Sequence, residues 1–98
     1  MLYVIICHDN PASRPGMRVE TRPAHLAYLE SLGGKLRLAG PMFGDDGASV
    51  IGSMIVIEAD SLDATRTIAS ADPYAKAGLF SGVEIRAWKQ VVGTGTVL

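Results

Sequence analysis

The segment Val50-Ile51-Gly52-Ser53-Met54-Ile55-Val56-Ile57-Glu58 is apolar at consecutive positions rather than alternate ones, so a strand built from it buries both of its faces. Leu2-Tyr3-Val4-Ile5-Ile6-Cys7 has the same character. Two such strands belong in the middle of a sheet, and that sheet needs cover on both sides. A chain of 98 residues is enough for one domain and too few for two. Residues 1–98 are therefore read as a single domain, with 93–98 as a tail that either moves freely or pairs with a neighbour.

The rest of the chain supplies cover for one side only. His8 to Gly16 is rich in turn residues and reads as a loop. Pro23 fits the first turn of a helix, where its missing N–H costs nothing, which places a helix over Arg22 to Leu32 with Leu26, Leu29 and Leu32 as its apolar stripe. Gly33-Gly34 stops it. Lys35 to Gly40 alternates as a strand and ends at Pro41, and Phe43 to Ala48 is a loop whose paired aspartates are turn formers. Within the Val50–Glu58 strand, Gly52-Ser53 marks the close approach of a backbone or a ligand. Asp60-Ser61 offers the N-cap of a second helix running to about Ala71, Asp72-Pro73 starts a short one through about Gly78, and Val83 to Val92 alternates as the last strand.

The order strand, helix, two strands, helix, strand predicts an α+β, ferredoxin-like βαββαβ domain, a four-stranded antiparallel sheet with two main helices on one face. The opposite face would expose an apolar patch larger than soluble monomers tolerate. A homodimer packed sheet to sheet is the expected remedy.

Composition excludes several functions. The net charge of −1 with scattered Lys and Arg leaves no footprint for nucleic acid. No apolar run is long enough to span a membrane and the amino terminus has no signal-peptide pattern, so a cytoplasmic location is expected. The lone Cys7 in a strand reads as a buried thiol and fits a reducing compartment. There is no nucleophile elbow, dinucleotide fingerprint or P-loop, and His8 and His25 are too few and too irregular for a zinc site. No metal and no cofactor are expected.

What chemistry remains lies at the helix ends. In a helix that begins at Arg22, His25 sits one turn in, where the positive end of the dipole favours the neutral imidazole that a general base requires. A core-edge histidine satisfied by a carbonyl explains the same residue. Asp72 caps the Pro73 turn, with or without a second partner. Arg22 is either an anion-holding guanidinium or a solvated helix-start residue, Ser53 a pocket hydroxyl or a small residue under a helix, and Tyr74 and Trp88 packing residues or substrate contacts.

Taken together, Met1-Leu2-Tyr3-Val4-Ile5, Arg22-Pro23-Ala24-His25-Leu26, Ala39-Gly40-Pro41-Met42, Gly52-Ser53, Ala71-Asp72-Pro73-Tyr74 and Ala77-Gly78-Leu79-Phe80 resemble the YciI-like family along nearly the whole chain. The resemblance implies a dimeric α+β barrel whose pocket holds an acid–base pair, falling here on His25 and Asp72. It departs from the family at Glu84-Ile85-Arg86-Ala87-Trp88, where relatives commonly place a proline before the aromatic, and in a short loop between the second and third strands. One branch of the family eliminates chloride from chlorinated hydroxyquinols. The expectation is thus a cofactor-independent lyase or isomerase acting on a small cyclic or phenolic metabolite. A dimer that only binds a small molecule or a partner in that pocket, or an oxygenase of the wider barrel group with or without haem, are the rival readings.

Overall fold

The computed structural model describes residues 1–95. Four strands, β1 (Leu2–Asp9), β2 (Leu36–Phe43), β3 (Val50–Glu58) and β4 (Phe80–Trp88), form one antiparallel sheet in the order β2-β3-β1-β4. The helices are α1 (Met17–Ser31), α2 (Leu62–Ala71) and the single-turn α3 (Pro73–Lys76). This is the expected ferredoxin-like α+β arrangement, with β1 and β3 central. Of the tail expected from Gly93, residues 96–98 lie outside the described residues.

The pleat explains why both central strands are apolar throughout. Tyr3, Ile5 and Cys7 of β1 stand beside Ile57, Ile55 and Ser53 of β3 and, with Leu29 of α1, form the core under the helices. The alternate residues Val4, Ile6, Met54 and Val56 point the other way. There Val56 is shielded by its cross-strand neighbours Val4 and Leu38, whereas Leu38, Met54 and Trp88 stay exposed. Among the described residues no helix lies on that side, so the apolar face foreseen from the sequence is present. No helix among the described residues is long and apolar enough to cross a membrane.

The close approach expected at Gly52 is real. A Cβ there would lie 2.1 Å from the Cys7 carbonyl oxygen of β1. Asp46, one of the paired aspartates, closes the β2–β3 turn by accepting hydrogen bonds from the Ala48 and Ser49 N–H groups and the Ser49 hydroxyl. Those donors hold its carboxyl down at about 2, with the Ser49 hydroxyl contributing most.

Two boundaries differ from expectation. The first helix begins at Met17, five residues before Arg22, and so contains Pro23 rather than starting with it. Pro23 cannot donate to the Val19 carbonyl, but Val19 is 75% exposed and water can serve that oxygen. Gly16, in the left-handed region at φ 84°, turns the loop into the helix, and Arg14 clasps both Glu20 carboxylate oxygens across that start. The last strand runs Phe80–Trp88 instead of 83–92. Among the described residues it pairs with β1 alone, and its last residue, Trp88, stands opposite Leu2, the first residue of β1.

Cys7 is buried among apolar side chains, and burial above all, with Asp72 adding, pushes its thiol up to about 12 from 9.0. The thiolate is the reactive form, so the folded protein is expected to resist iodoacetamide even at pH 9 to 10, where an unfolded chain's cysteine is largely ionised. Mass spectrometry of intact protein with and without guanidinium checks this. Equal labelling rates in the two states would contradict it.

Candidate active site

The earlier start of α1 aligns Arg18, Arg22, His25 and Leu29 on one stripe, at spacings of four, three and four residues. His25 and Leu29 are the buried part. Leu26, expected in the apolar stripe, is 39% exposed instead and stands at the rim of a cleft. That cleft, of about 320 Å³, lies between α1 and the β2 side of the sheet and is lined by Arg18, Arg22, His25, Pro41, Ser53 and Tyr74 among others. Its size suits a single small ring.

Asp72 reaches His25 because α2 cannot continue through Pro73. The residue before a proline is driven to extended backbone, and Asp72 adopts φ −61°, ψ 129°. Its carboxylate oxygens lie 2.8 and 3.0 Å from His25 Nδ1, and Oδ1 also accepts the Tyr74 N–H at 2.9 Å. Capping and pairing therefore coexist on one side chain. An ionised carboxylate only accepts, so Nδ1 is the nitrogen that donates to it, and in a neutral imidazole oriented this way Nε2 is the nitrogen with a free lone pair. Both groups are withdrawn from water, His25 at 7% exposed and Asp72 at 2%. Contrary to expectation, the positive end of the helix dipole does not reach His25. His25 is the ninth residue of α1, and the dipole's influence fades within the first turn. What orients the imidazole is the carboxylate.

Tyr74, buried at the start of α3, stacks on the His25 ring with centroids 3.9 Å apart and planes 15° from parallel. The Arg18 guanidinium carbon stands 4.7 Å from the centre of the same tyrosine ring. Burial raises the Tyr74 phenol above its usual value while Arg18 and Arg22 oppose it, so the hydroxyl stays neutral. Arg18 donates from Nε and Nη2 to the two Asp9 oxygens, each at 2.8 Å, and from Nη2 to Ser53 Oγ at 2.9 Å. Burial works against its charge, but the hydrogen bonds and charge of Asp9 more than offset this and raise its pKa.

The fold thus brings His25, Arg22, Ser53 and Tyr74 to one cleft and sets Asp72 directly behind His25. Trp88 lies on the opposite sheet face, and His8 there meets Glu84 at 3.1 Å. Arg18 and Asp9 were not identified from the sequence. The available signal was Arg18's place four residues before Arg22 and seven before His25, which a helix started at Arg22 conceals. Among the described residues no group of three or more His, Cys, Asp or Glu side chains could hold a metal ion. A second groove of about 520 Å³ between α2 and β4 has no buried titratable group in its lining.

A ferredoxin-like sheet carrying a buried histidine–carboxylate pair beside a small cleft defines the class: a small α+β domain with a candidate acid–base site. The chain belongs to the YCII-related domain family, whose model matches residues 1–89. Protein YciI of Escherichia coli O6:H1 is 42% identical over 98 residues, covering 93% of this chain and 99% of that protein. A protein of Emericella nidulans described as derivative of benzaldehyde biosynthesis cluster protein C is 35% identical over 83 residues, 74% of this chain and 85% of its own length. Among solved structures, the 5-chloro-2-hydroxyhydroquinone dehydrochlorinase TftG of Burkholderia phenoliruptrix AC1100, in complex with 2,5-dihydroxybenzoquinone, matches with a TM-score of 0.81 and 37% identity over 93% of this chain and 96% of that one.

Proposed function

We propose that this protein is a small cofactor-independent enzyme in which His25, oriented by Asp72, moves a proton on a small cyclic or phenolic substrate during elimination or isomerisation. The observation that carries the reading is the pairing of His25 Nδ1 with a buried carboxylate beside a cleft that His25 itself lines. In an elimination, Nε2 accepts the substrate proton while the leaving group departs with its bonding electrons. In an isomerisation the same nitrogen returns the proton to another atom of the substrate. Neither route changes the redox state of the protein. Tyr74, stacked on His25 and next to Arg18, holds these two side chains in place, Arg22 supplies a positive charge, and Ser53 holds a neighbouring arginine in place. The likeness to TftG, named for dehydrochlorination of an oxygenated ring, supports that substrate class.

The test begins with metabolites retained by the protein from cell extract and identified by mass spectrometry. Each is then followed for turnover by the natural protein and by His25→Ala. A binding-only protein, with His25 serving as a hydrogen-bond donor, gives retained metabolites and no turnover by either. Turnover that survives in His25→Ala refutes the acid–base role.

The same reading includes a cytoplasmic homodimer joined through the open sheet face. Leu38, Met54 and Trp88 are exposed there, with no helix among the described residues to cover them. Sedimentation equilibrium at micromolar concentration is expected to give twice the chain mass, and Met54→Lys to return it to one. A monomer in the natural protein would refute the dimer.

A further inference from the structure

The cleft's cations show a division of labour. Arg22 lines it and has no carboxylate within ion-pairing distance among the described residues. Arg18 lines it too, but its fork is held from behind. Asp9 of β1 takes Nε and Nη2, Ser53 of β3 takes Nη2 again, and the Tyr74 hydroxyl also interacts with the guanidinium, so Nη1, which carries two N–H groups, is the amine that Asp9 and Ser53 leave for a ligand. A guanidinium used only as a structural tie is expected on the surface or fully enclosed. This one keeps 19% of its side chain accessible, at the wall of a cleft, over the ring that also stacks on His25. Fixing a flexible, four-torsion side chain by two partners before any ligand arrives lowers the entropy lost when it binds one.

We propose that Arg18 is a specificity-determining residue that anchors an ionised oxygen of the substrate through Nη1, with Arg22 as a second cation, so that the cleft selects small rings bearing an oxyanion over neutral rings of the same shape. The inference rests on the reading of this cleft as a substrate site. It adds which ionisation state of the ring is bound and which residue reads it. Arg18 and His25 occupy the same helical stripe and share Tyr74 as a neighbour, so an oxygen held by Arg18 keeps the ring beside the imidazole. Asp9 is then a positioning residue, because it fixes the fork without itself lining the cleft.

Calorimetry on the full chain tests this with 2,5-dihydroxybenzoquinone, whose hydroxyls are acidic enough to be ionised at neutral pH, and with its dimethyl ether, which has no ionisable oxygen. The natural protein is expected to bind the ionised quinone more tightly, with an affinity that falls as salt is added. Arg18→Gln and Arg22→Gln are each expected to weaken the ionised ligand about ten- to hundredfold, the range of a charged hydrogen bond, and to change the ether less than twofold. Because Arg18→Gln strands the Asp9 carboxylate, the double variant Arg18→Gln with Asp9→Asn, which keeps an amide pair there, guards against loss of fold. It is expected to show the same selective loss. A purely structural Arg18 would weaken both ligands alike, and that result overturns the anchor while leaving the His25 proposal standing. Binding of neither ligand by the natural protein would overturn both the anchor and the reading of the cleft as a site for oxygenated rings.

Discussion

His25→Ala is expected to lower turnover of the cleft's substrate by about 10²- to 10⁴-fold while leaving binding within a few-fold, because removal of a positioned base costs the proton transfer and not the contacts. His25→Asn sharpens the result. Its side-chain amide can still donate to Asp72, which keeps the buried carboxylate partnered, but it has nothing at the place of Nε2. Loss of turnover in both variants, with unchanged circular dichroism, isolates the imidazole as the working group. Retention of turnover in His25→Asn would show that orientation by hydrogen bonding is all that His25 supplies. Asp72→Asn addresses the other half of the pair. An amide that offers N–H to Nδ1 turns the proton to Nε2, the wrong nitrogen for a base, while its oxygen can continue to cap Tyr74. Turnover is therefore expected to fall with little loss of stability.

The largest effect on stability is expected from the smallest change, Gly52→Ala. The added methyl would sit 2.1 Å from the Cys7 carbonyl oxygen and 2.8 Å from the Met42 Cε. The methionine tip can swing away. The carbonyl cannot, because it belongs to the central strand that pairs with β3 and β4 at once. Relief requires β1 and β3 to part where His8 faces Gly52, at a cost of about 3 kcal/mol or more. For a domain of this size the thermal midpoint then falls by roughly 10–25 °C. Ser53 is the next residue, so the damage reaches the oxygen that holds Arg18 as well. A melt within about 3 °C of the natural protein would contradict the prediction.

These two sites were legible to different degrees. Gly52 stands out in a run of branched apolar residues, and a missing side chain inside a buried strand has few explanations other than close approach. Asp72-Pro73 is legible for a similar reason, since a carboxylate before a proline stops one helix and caps the next through contacts a few residues long. The start of α1 was not legible. The rule that places proline in a helix's first turn weighs only the lost N–H and the local clash. The chain tolerates Pro23 at the seventh position because the Val19 carbonyl it leaves unpaired faces solvent and the stripe beneath it packs on the sheet. With the helix misplaced, Arg18 fell outside it and the extent of the cleft's positive wall was hidden.

The sequence by itself determined the order of elements, the centrality of β1 and β3, the caps at Ser61 and Asp72, and the two apolar sheet faces. Each of these follows from side-chain periodicity or from hydrogen bonds spanning a few residues. Only the tertiary structure decided that Asp72 meets His25 forty-seven residues away, that Arg18 is gripped by Asp9 and Ser53 from two strands, and that Tyr74 joins the two groups. Such contacts depend on how helices cross a sheet. Packing of whole surfaces sets that geometry, and no local pattern along the chain encodes it.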